Sequence, residues 1–514
     1  MNPENFPLYV LTQDTKSILS IFDKNYPDRF YGGSDQYLYE LIQSISLAYP
    51  YIKAYTETEM QFKLGTKVST ALEQNPQRIC LCLDRFLLKD VESKFPDRFM
   101  RLAITRTVSG DKTARQGNLP LDQQIGSLVN LIKGKPVIIV DDGLFSGGTA
   151  QFVTDKLCQF GIKKYQIEKI IAFLGNSQTT QVDGTPVEFI ADIPDLFEWI
   201  DIRDFGIFGG RQLDNSRNNK VSTAVPYLFP WSQGESASLE KSGQLFTVSQ
   251  GMIQSFITLI IKFENVTGKS LKFRDFVKAG FPLPTDKEKT IPVSINTDPK
   301  AYLKVCLQIV EAEQQRQVVI FDMDGTLYEL DGQNKGYSGS SLETKVVNNC
   351  LRFILNQEKC SAEEAEAIMD QGLKDPVGLS NFLSKRYGIT RKNYFDIVWD
   401  INPQGLVFNF QTAVQTVKQI PEDGKKPILL TSAPKVWQEK VIKFLGLDNC
   451  FEAIYTGEDF DQKTEIFSML AQRYQPSNIF SVGDQETTDI SPAAALGLST
   501  LLVQNPNDLE RLVK

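Results

Sequence analysis

The chain has 514 residues, 41% of them hydrophobic and 23% charged, with a formal net charge of −8. That length exceeds what one hydrophobic core usually serves, so two or three globular domains are expected. The acidic balance argues against a surface that coats nucleic acid. There is no histidine. Histidine bases, Ser–His–Asp triads and histidine metal ligands are therefore excluded, and any chemistry must run on carboxylates, lysine, arginine, backbone amides and oxygen-ligated metal.

The seven cysteines are scattered and form no Cys-x-x-Cys pair. Neither a disulfide framework nor a zinc ribbon is indicated. Cys80 and Cys82 alternate along a strand-like run and read as core. Met1-Asn-Pro-Glu-Asn5 is not a basic region followed by an apolar run, so no secretory signal is expected. The longest apolar stretch, 256–261, is too short to cross a bilayer. A reducing, cytoplasmic setting with no membrane partner follows.

In chain order, residues 1–235 alternate strand-like and helix-like segments and predict an α/β domain. Strands are expected at 79–83, 100–105, 137–140, 170–174 and 187–190. Helices are expected at 66–72 and 149–160, the second stopped by Gly161. Residues 214–250, rich in Asn, Ser, Gln and Gly, read as irregular. Helices at 252–266 and 301–315, separated by a Pro- and Lys-rich connector at 281–289, make 236–315 a helical extension that completes the first domain or bridges to the next. From 316 the alternation resumes, with strands at 318–321, 428–430, 479–482 and 500–503. A Gly/Ser-rich hinge at 332–341 leads into helices through the 390s. One of these opens on the capping box Ser361-Ala-Glu-Glu364. Those helices predict a cap over about 333–415, inserted into an α/β domain that runs to 514. The fold class is thus α/β, with two Rossmann-like parallel-sheet domains and a helical connecting region.

Residues 137–149 read Val137-Ile-Ile-Val-Asp141-Asp142-Gly-Leu-Phe145-Ser146-Gly147-Gly148-Thr149. A buried strand, two acids, a glycine turn and a helix are what an open α/β sheet places at its ligand-binding edge. Gly147 and Gly148 let backbone amides approach a phosphate, Ser146 and Thr149 add hydroxyls, and the helix N-terminus adds a positive dipole end. Adjacent carboxylates would repel that phosphate, so they suit the hydroxyls of a sugar bearing it, or its Mg²⁺. The run resembles the phosphoribosyl-pyrophosphate (PRPP) loop of type I phosphoribosyltransferases, apart from Phe145, where that family has a small residue. The resemblance implies that Asp141 and Asp142 hold the ribose hydroxyls and that Ser146, Gly147, Gly148 and Thr149 hold the 5′-phosphate. It also implies a mobile loop at 106–117, with Lys112 and Arg115 against pyrophosphate, although a solvated surface loop would read the same. Arg85 is a candidate for the pyrophosphate-side loop. Trp199, Asp201 and Phe205 are candidates for a base-binding hood.

The second motif is Val318-Val-Ile-Phe-Asp322-Met-Asp324-Gly-Thr326. Two aspartates one residue apart after a buried strand provide a nucleophile for phosphorus and an acid for the leaving oxygen, and Mg²⁺ would quench the charge repulsion. This is similar to the signature of haloacid dehalogenase-like (HAD) hydrolases. Thr431-Ser432, Lys463 and Gly483-Asp484 with Asp489 follow in that family's order. Ser432 stands where asparagine is common, and the rival lysines Lys435 and Lys440 come too soon after the second strand. The resemblance implies Asp322 as nucleophile, Asp324 as acid/base, Thr431 holding the phosphoryl group and Lys463 neutralising charge. It further implies a Mg²⁺ site of Asp322, Asp484, Asp489 and the carbonyl of Asp324. The inserted cap and the motif spacing are most like the pyrimidine-nucleotidase-like branch, which places nucleoside monophosphates first among substrates.

Thr267-Gly-Lys-Ser270 is set aside as a nucleotide loop, because Phe263 stands where the motif needs glycine. Taken together, the two motifs predict an enzyme that joins PRPP to a base-like acceptor and then removes the phosphate. The alternative is a phosphatase regulated by a PRPP- or nucleotide-sensing domain. Expected partners are PRPP, the acceptor and a phosphate monoester, with no nucleic acid. The oligomeric state is left open.

Overall fold

The structure is a computed structural model that describes residues 8–24, 33–176, 178–213, 221–227, 238–239, 242–285, 291–376 and 378–513. The chain divides into two compact units, Met1–Glu311 and Ala312–Lys514.

The strands of the first unit are β1 (Leu8–Thr12), β2 (Ile52–Tyr55), β3 (Ile79–Cys82), β4 (Phe99–Arg101), β5 (Ile104–Arg106), β6 (Lys112–Ala114) and β7 (Val137–Leu144). They continue as β8 (Ile167–Gly175), β9 (Gln181–Val182), β10 (Thr185–Asp192), β11 (Leu196–Asp201), β12 (Arg211–Gln212), β13 (Thr223–Val225) and β14 (Leu283–Pro284). The main sheet has the order β4-β3-β7-β8-β10-β9. All its pairings are parallel except β10 with β9. A second parallel sheet, β11-β1-β2, sets the ends of β1 and β11 side by side, with Thr12 opposite Asp201.

Helix Glu57–Gln74 shows how the first unit is built. Thr56 caps it by accepting the Glu59 N–H at 3.2 Å, and Glu57 and Glu59 complement the dipole of its first turn. Met60, Leu64, Val68, Ala71 and Leu72 recur at helical spacing and are buried. Each large aliphatic side chain so buried contributes roughly 1.5–3 kcal/mol.

About half of the irregular stretch read at 214–250 falls outside the described residues, as do residues 286–290 of the connector. Helix Leu245–Thr267 begins inside that stretch. Its 23 residues are long and apolar enough to cross a membrane by length and composition, which corrects the reading that no stretch is. Phe256 and Phe263 on this helix are nonetheless buried within the unit, so its apolar face serves as core. Helix Pro299–Gln314 ends the region, and everything to Glu311 falls in the first unit.

The second unit holds β15 (Val318–Phe321), β16 (Lys426–Leu430), β17 (Ala453–Tyr455), β18 (Ile479–Gly483) and β19 (Ser499–Leu502) in the order β17-β16-β15-β18-β19, all parallel. β15 is central and every residue of it is buried. A run of four aliphatic and aromatic residues is what a strand covered on both faces requires. Between β15 and β16 lie the inserted helices Ser341–Glu358, Ala362–Leu373, Leu379–Tyr387 and Arg391–Val398. The expected capping box is present, with Ser361 Oγ accepting the Glu364 N–H at 3.3 Å and the Ser361 N–H donating to Glu364 at 2.8 Å.

Candidate active sites

In the first unit, β7 carries its buried run 137–140 to Asp141 and Asp142 at the carboxyl edge of the sheet. Gly147 adopts φ +73 at the N-cap of helix Gly148–Gln159, a left-handed conformation that favours glycine. Phe145 is 53% exposed, so the departure from the family pattern lies at the loop tip rather than in the core.

Arg203 organises this cleft. Its Nη1 lies 2.7 Å from Asp14 Oδ2 and 3.6 Å from Asp84 Oδ2. Its Nη2 lies 2.7 Å from Asp201 and 3.2 Å from Asp142, and its Nε 4.0 Å from Asp204. One guanidinium thus faces five carboxylates, brought together by the ends of β1, β3, β7 and β11. Burial raises the Asp14 carboxyl to about 7 despite Arg203. Burial and the neighbouring Asp142 raise Asp141 as well. Asp84 goes the other way: burial opposes its charge, but Arg203, Arg115 and the amides of Leu87 and Phe86 hold it below the usual range.

A cavity of about 100 Å³ opens here, and its lining includes Asp141, Asp142 and Thr149 together with Arg106, Arg115 and Arg211. None of these three arginines forms an ion pair with a carboxylate among the described residues. The segment expected as a mobile loop is a hairpin, β5–β6, tied to β12 through the Val108 N–H and the Gln212 carbonyl at 2.9 Å. Lys112 Nζ donates to the Gly110 carbonyl at 2.9 Å. Partial burial, then Arg106 and Arg211, lower its pKa.

Two further sequence candidates have other partners in the structure. Arg85 donates to the carbonyls of Ala279 and Gly280 and stacks on Phe281, 4.6 Å from the ring centroid, so its cation is engaged in packing. Phe205 is fully buried and offers no stacking face. Trp199 does line the cavity, packed against Gly143 with Nε1 donating to Thr12 at 2.9 Å. Asp201 is committed to Arg203 and Thr12. Arg106 opens the loop expected at 106–117, whereas Arg211 escaped sequence reading: it follows a pair of glycines with no motif around it.

In the second unit, Asp322 leaves the end of β15, its N–H donating to the Val482 carbonyl at 2.9 Å. Lys463, the first residue of helix Lys463–Arg473, donates to Asp322 Oδ1 at 2.6 Å and Asp489 Oδ1 at 2.7 Å. All three are more than nine-tenths buried. Thr326 Oγ1 donates to Asp322 Oδ2 at 3.2 Å. Thr431, 1% exposed, stands at the end of β16, its hydroxyl accepting the Ala433 N–H at 3.1 Å.

Burial opposes the charge on Lys463, yet Asp322 and Asp489 outweigh it and hold the ammonium protonated well above the usual lysine range. Burial pushes the Asp322 carboxyl up to about 8, with Lys463 opposing and Asp489 and Asp484 adding to it. Asp484 is raised to about 6 by burial and by Asp489. The site therefore holds more negative charge than one lysine balances.

That excess fits a hard divalent cation. Carboxylate oxygens of Asp322, Asp484 and Asp489 lie within 4.8 Å of one another, and Asp484 Oδ1 is buried with no hydrogen-bond partner among the described residues. The carboxylate of Asp324 is not part of this group. It accepts from Tyr328 Oη and, at 3.3 Å, from Trp437 Nε1. Neither aromatic was anticipated from sequence.

Residues 317–497 match the family model of the haloacid dehalogenase-like hydrolases. The second unit carries a hydrolase domain of that family. Comparison of the sequence with curated proteins finds no match. Similar solved structures include a HAD-family hydrolase from Xanthomonas campestris, 17% identical over 39% of this chain and 91% of that one, TM-score 0.26. A HAD-family enzyme from Bacteroides thetaiotaomicron, an aspartate-to-alanine variant with magnesium and inorganic phosphate, is 17% identical over 39% and 100%, TM-score 0.25. The HAD-hydrolase YfnB from Bacillus subtilis, bound to magnesium, is 16% identical over 39% and 99%, TM-score 0.24. Assignment of the hydrolase domain rests on the sequence match.

Proposed function

We propose that the hydrolase domain is a Mg²⁺-dependent phosphatase of small phosphate monoesters that works through an aspartyl-phosphate on Asp322. The observation that carries this reading is Lys463 bridging Asp322 and Asp489 beside an Asp484 oxygen that has no hydrogen-bond partner among the described residues. Asp322, Asp484 and Asp489 would hold Mg²⁺, which supplies charge neutralisation for an anionic nucleophile facing an anionic substrate. Asp322 attacks phosphorus, the bond to the leaving oxygen breaks, and that oxygen takes a proton from Asp324. Water then attacks the same phosphorus, giving its proton to Asp324, and phosphate leaves Asp322. Lys463 keeps the nucleophile in place and offsets charge in both steps, while Thr431 donates to the transferring phosphoryl group. Phosphate release from a panel of monoesters, nucleoside monophosphates included, tests this: Asp322→Asn should be inactive in Mg²⁺.

For the first unit we propose PRPP binding, with ribose hydroxyls on Asp141 and Asp142, the 5′-phosphate on the loop Ser146, Gly147, Gly148 and Thr149, and pyrophosphate facing Arg115 and Lys112. What supports it is a single cavity lined both by acids and by arginines that form no ion pair among the described residues, which matches a molecule bearing hydroxyls and a polyanion. The chain would then make a nucleotide from PRPP and a base-like acceptor and dephosphorylate it, the second step rendering the first irreversible. Mass spectrometry of products from Mg²⁺, PRPP and a base library decides between this and a sensing role. Binding of PRPP without pyrophosphate release from any base would favour the sensor.

A further inference from the structure

Tyr328 and Trp437 are both fully buried, and both aim their only side-chain hydrogen-bond donor at the same place. Tyr328 Oη donates to Asp324 Oδ1. Trp437 Nε1 is shared between Asp324 Oδ1 at 3.3 Å and Tyr328 Oη at 3.2 Å. The two come from different elements. Tyr328 closes the tight turn after β15, its carbonyl accepting the Gly325 N–H at 3.0 Å, and Trp437 lies in the first turn of helix Lys435–Leu445 after β16.

The arrangement is directional. Indole N–H is a donor only, so Trp437 fills an oxygen lone pair on Tyr328 and leaves the tyrosine hydrogen free to point at Asp324. Asp324 Oδ1 then accepts from both aromatics. A hydrogen on Oδ1 would collide with these donors, so a protonated Asp324 carries its hydrogen on Oδ2. Burying a tyrosine hydroxyl and an indole N–H in a core is tolerated only when both are satisfied, and here each satisfies the other and the carboxyl.

We infer that Tyr328 and Trp437 are positioning residues that fix the rotamer of Asp324 and keep Oδ2 as the oxygen that hands a proton to the leaving group. This rests on the phosphatase reading above. In the step concerned, Asp322 oxygen bonds to phosphorus, the phosphorus–oxygen bond to the leaving group breaks, and the hydrogen on Asp324 Oδ2 passes to that oxygen. Only a basic leaving oxygen needs the proton. A 4-nitrophenolate departs without it.

The test uses the full chain with Mg²⁺ and two esters, 4-nitrophenyl phosphate and glycerol 2-phosphate. It reads kcat/KM, which reports steps up to the first irreversible one. Tyr328→Phe keeps the ring and removes the donor, and Trp437→Phe removes the other donor. In either variant the ratio of kcat/KM for the nitrophenyl ester to that for the alkyl ester should rise at least about tenfold, as expected for loss of positioned proton donation. A merely structural role would lower both values together. A wild-type chain active on both esters with an unchanged ratio in both variants overturns the clamp alone. A wild-type chain inactive on both overturns the phosphatase reading, and the clamp with it.

Discussion

Lys463 Nζ sits 2.6 Å from Asp322 Oδ1, joining two residues 141 positions apart in the chain. A buried lysine in that position has a defined electrostatic task, because without it two buried carboxylates face each other unpaired. Lys463→Met should reduce kcat for phosphate release by about 10²–10³ with the fold retained in Mg²⁺. Steady-state kinetics beside circular dichroism check this, and near-normal kcat would remove Lys463 from the mechanism.

Gly325 adopts φ +85, and a Cβ built there would overlap Asp484 Oδ2. Gly325→Ala must strain the turn or displace Asp484 from the cluster. Mg²⁺ affinity by calorimetry should weaken about 10–100-fold, the range seen when groups supporting a metal ligand are moved. Unchanged affinity would place the metal away from Asp484.

Asp14 gives a pH dependence that belongs to the first unit. Burial raises its carboxyl from the ordinary 3.8 to about 7. Between those values the folded chain holds a proton that the unfolded chain has released. Stability from this group is therefore fully present below the unfolded pKa and is lost as pH rises toward 7. Asp14→Asn does not titrate, and Arg203 keeps four other carboxylates. The variant should be more stable than the parent at pH 8, by on the order of 2 kcal/mol, with the difference shrinking toward pH 5. Melting curves across pH 5–8 measure this. A pH-independent difference would mean that Asp14 is charged throughout.

The PRPP site proposed beside Arg203 is tested by separating binding from turnover. Asp141→Asn with Asp142→Asn should weaken PRPP binding at least tenfold, by loss of two charged acceptors for the ribose. Lys112→Ala with Arg115→Ala should abolish pyrophosphate release while sparing PRPP binding. Arg211→Gln should behave like the latter pair, since Arg211 lines the same cavity as Arg115. Calorimetry with PRPP and a pyrophosphate-release assay separate the two outcomes.

Sequence patterns reached the parallel sheets where strands were continuous apolar runs: β15 was read at its observed bounds, and β3, β7, β8, β16 and β18 within a few residues. The sheet β11-β1-β2 was missed. Leu196-Phe-Glu-Trp-Ile-Asp201 is half-buried along most of its length and mixes charge with aromatics, so it lacks the strand signature. β17 was missed for a similar reason, being a three-residue edge strand. In the hydrolase domain the charged residues came from motif spacing. Tyr328 and Trp437 did not, because a buried aromatic reads as core until its polar atom is seen to meet a carboxylate. Arg203 escaped because five carboxylates from the ends of four strands converge on it only in the folded chain.

The central claim is covalent phosphorylation of Asp322, and borohydride reduction during turnover tests it most directly. An acyl phosphate reduces to the alcohol, so peptide mass spectrometry of the protein quenched while hydrolysing a phosphate monoester in Mg²⁺ should show homoserine at position 322. Lys463→Met should lower the trapped fraction. Steady phosphate release with an unmodified Asp322 in every quenched sample would contradict the account.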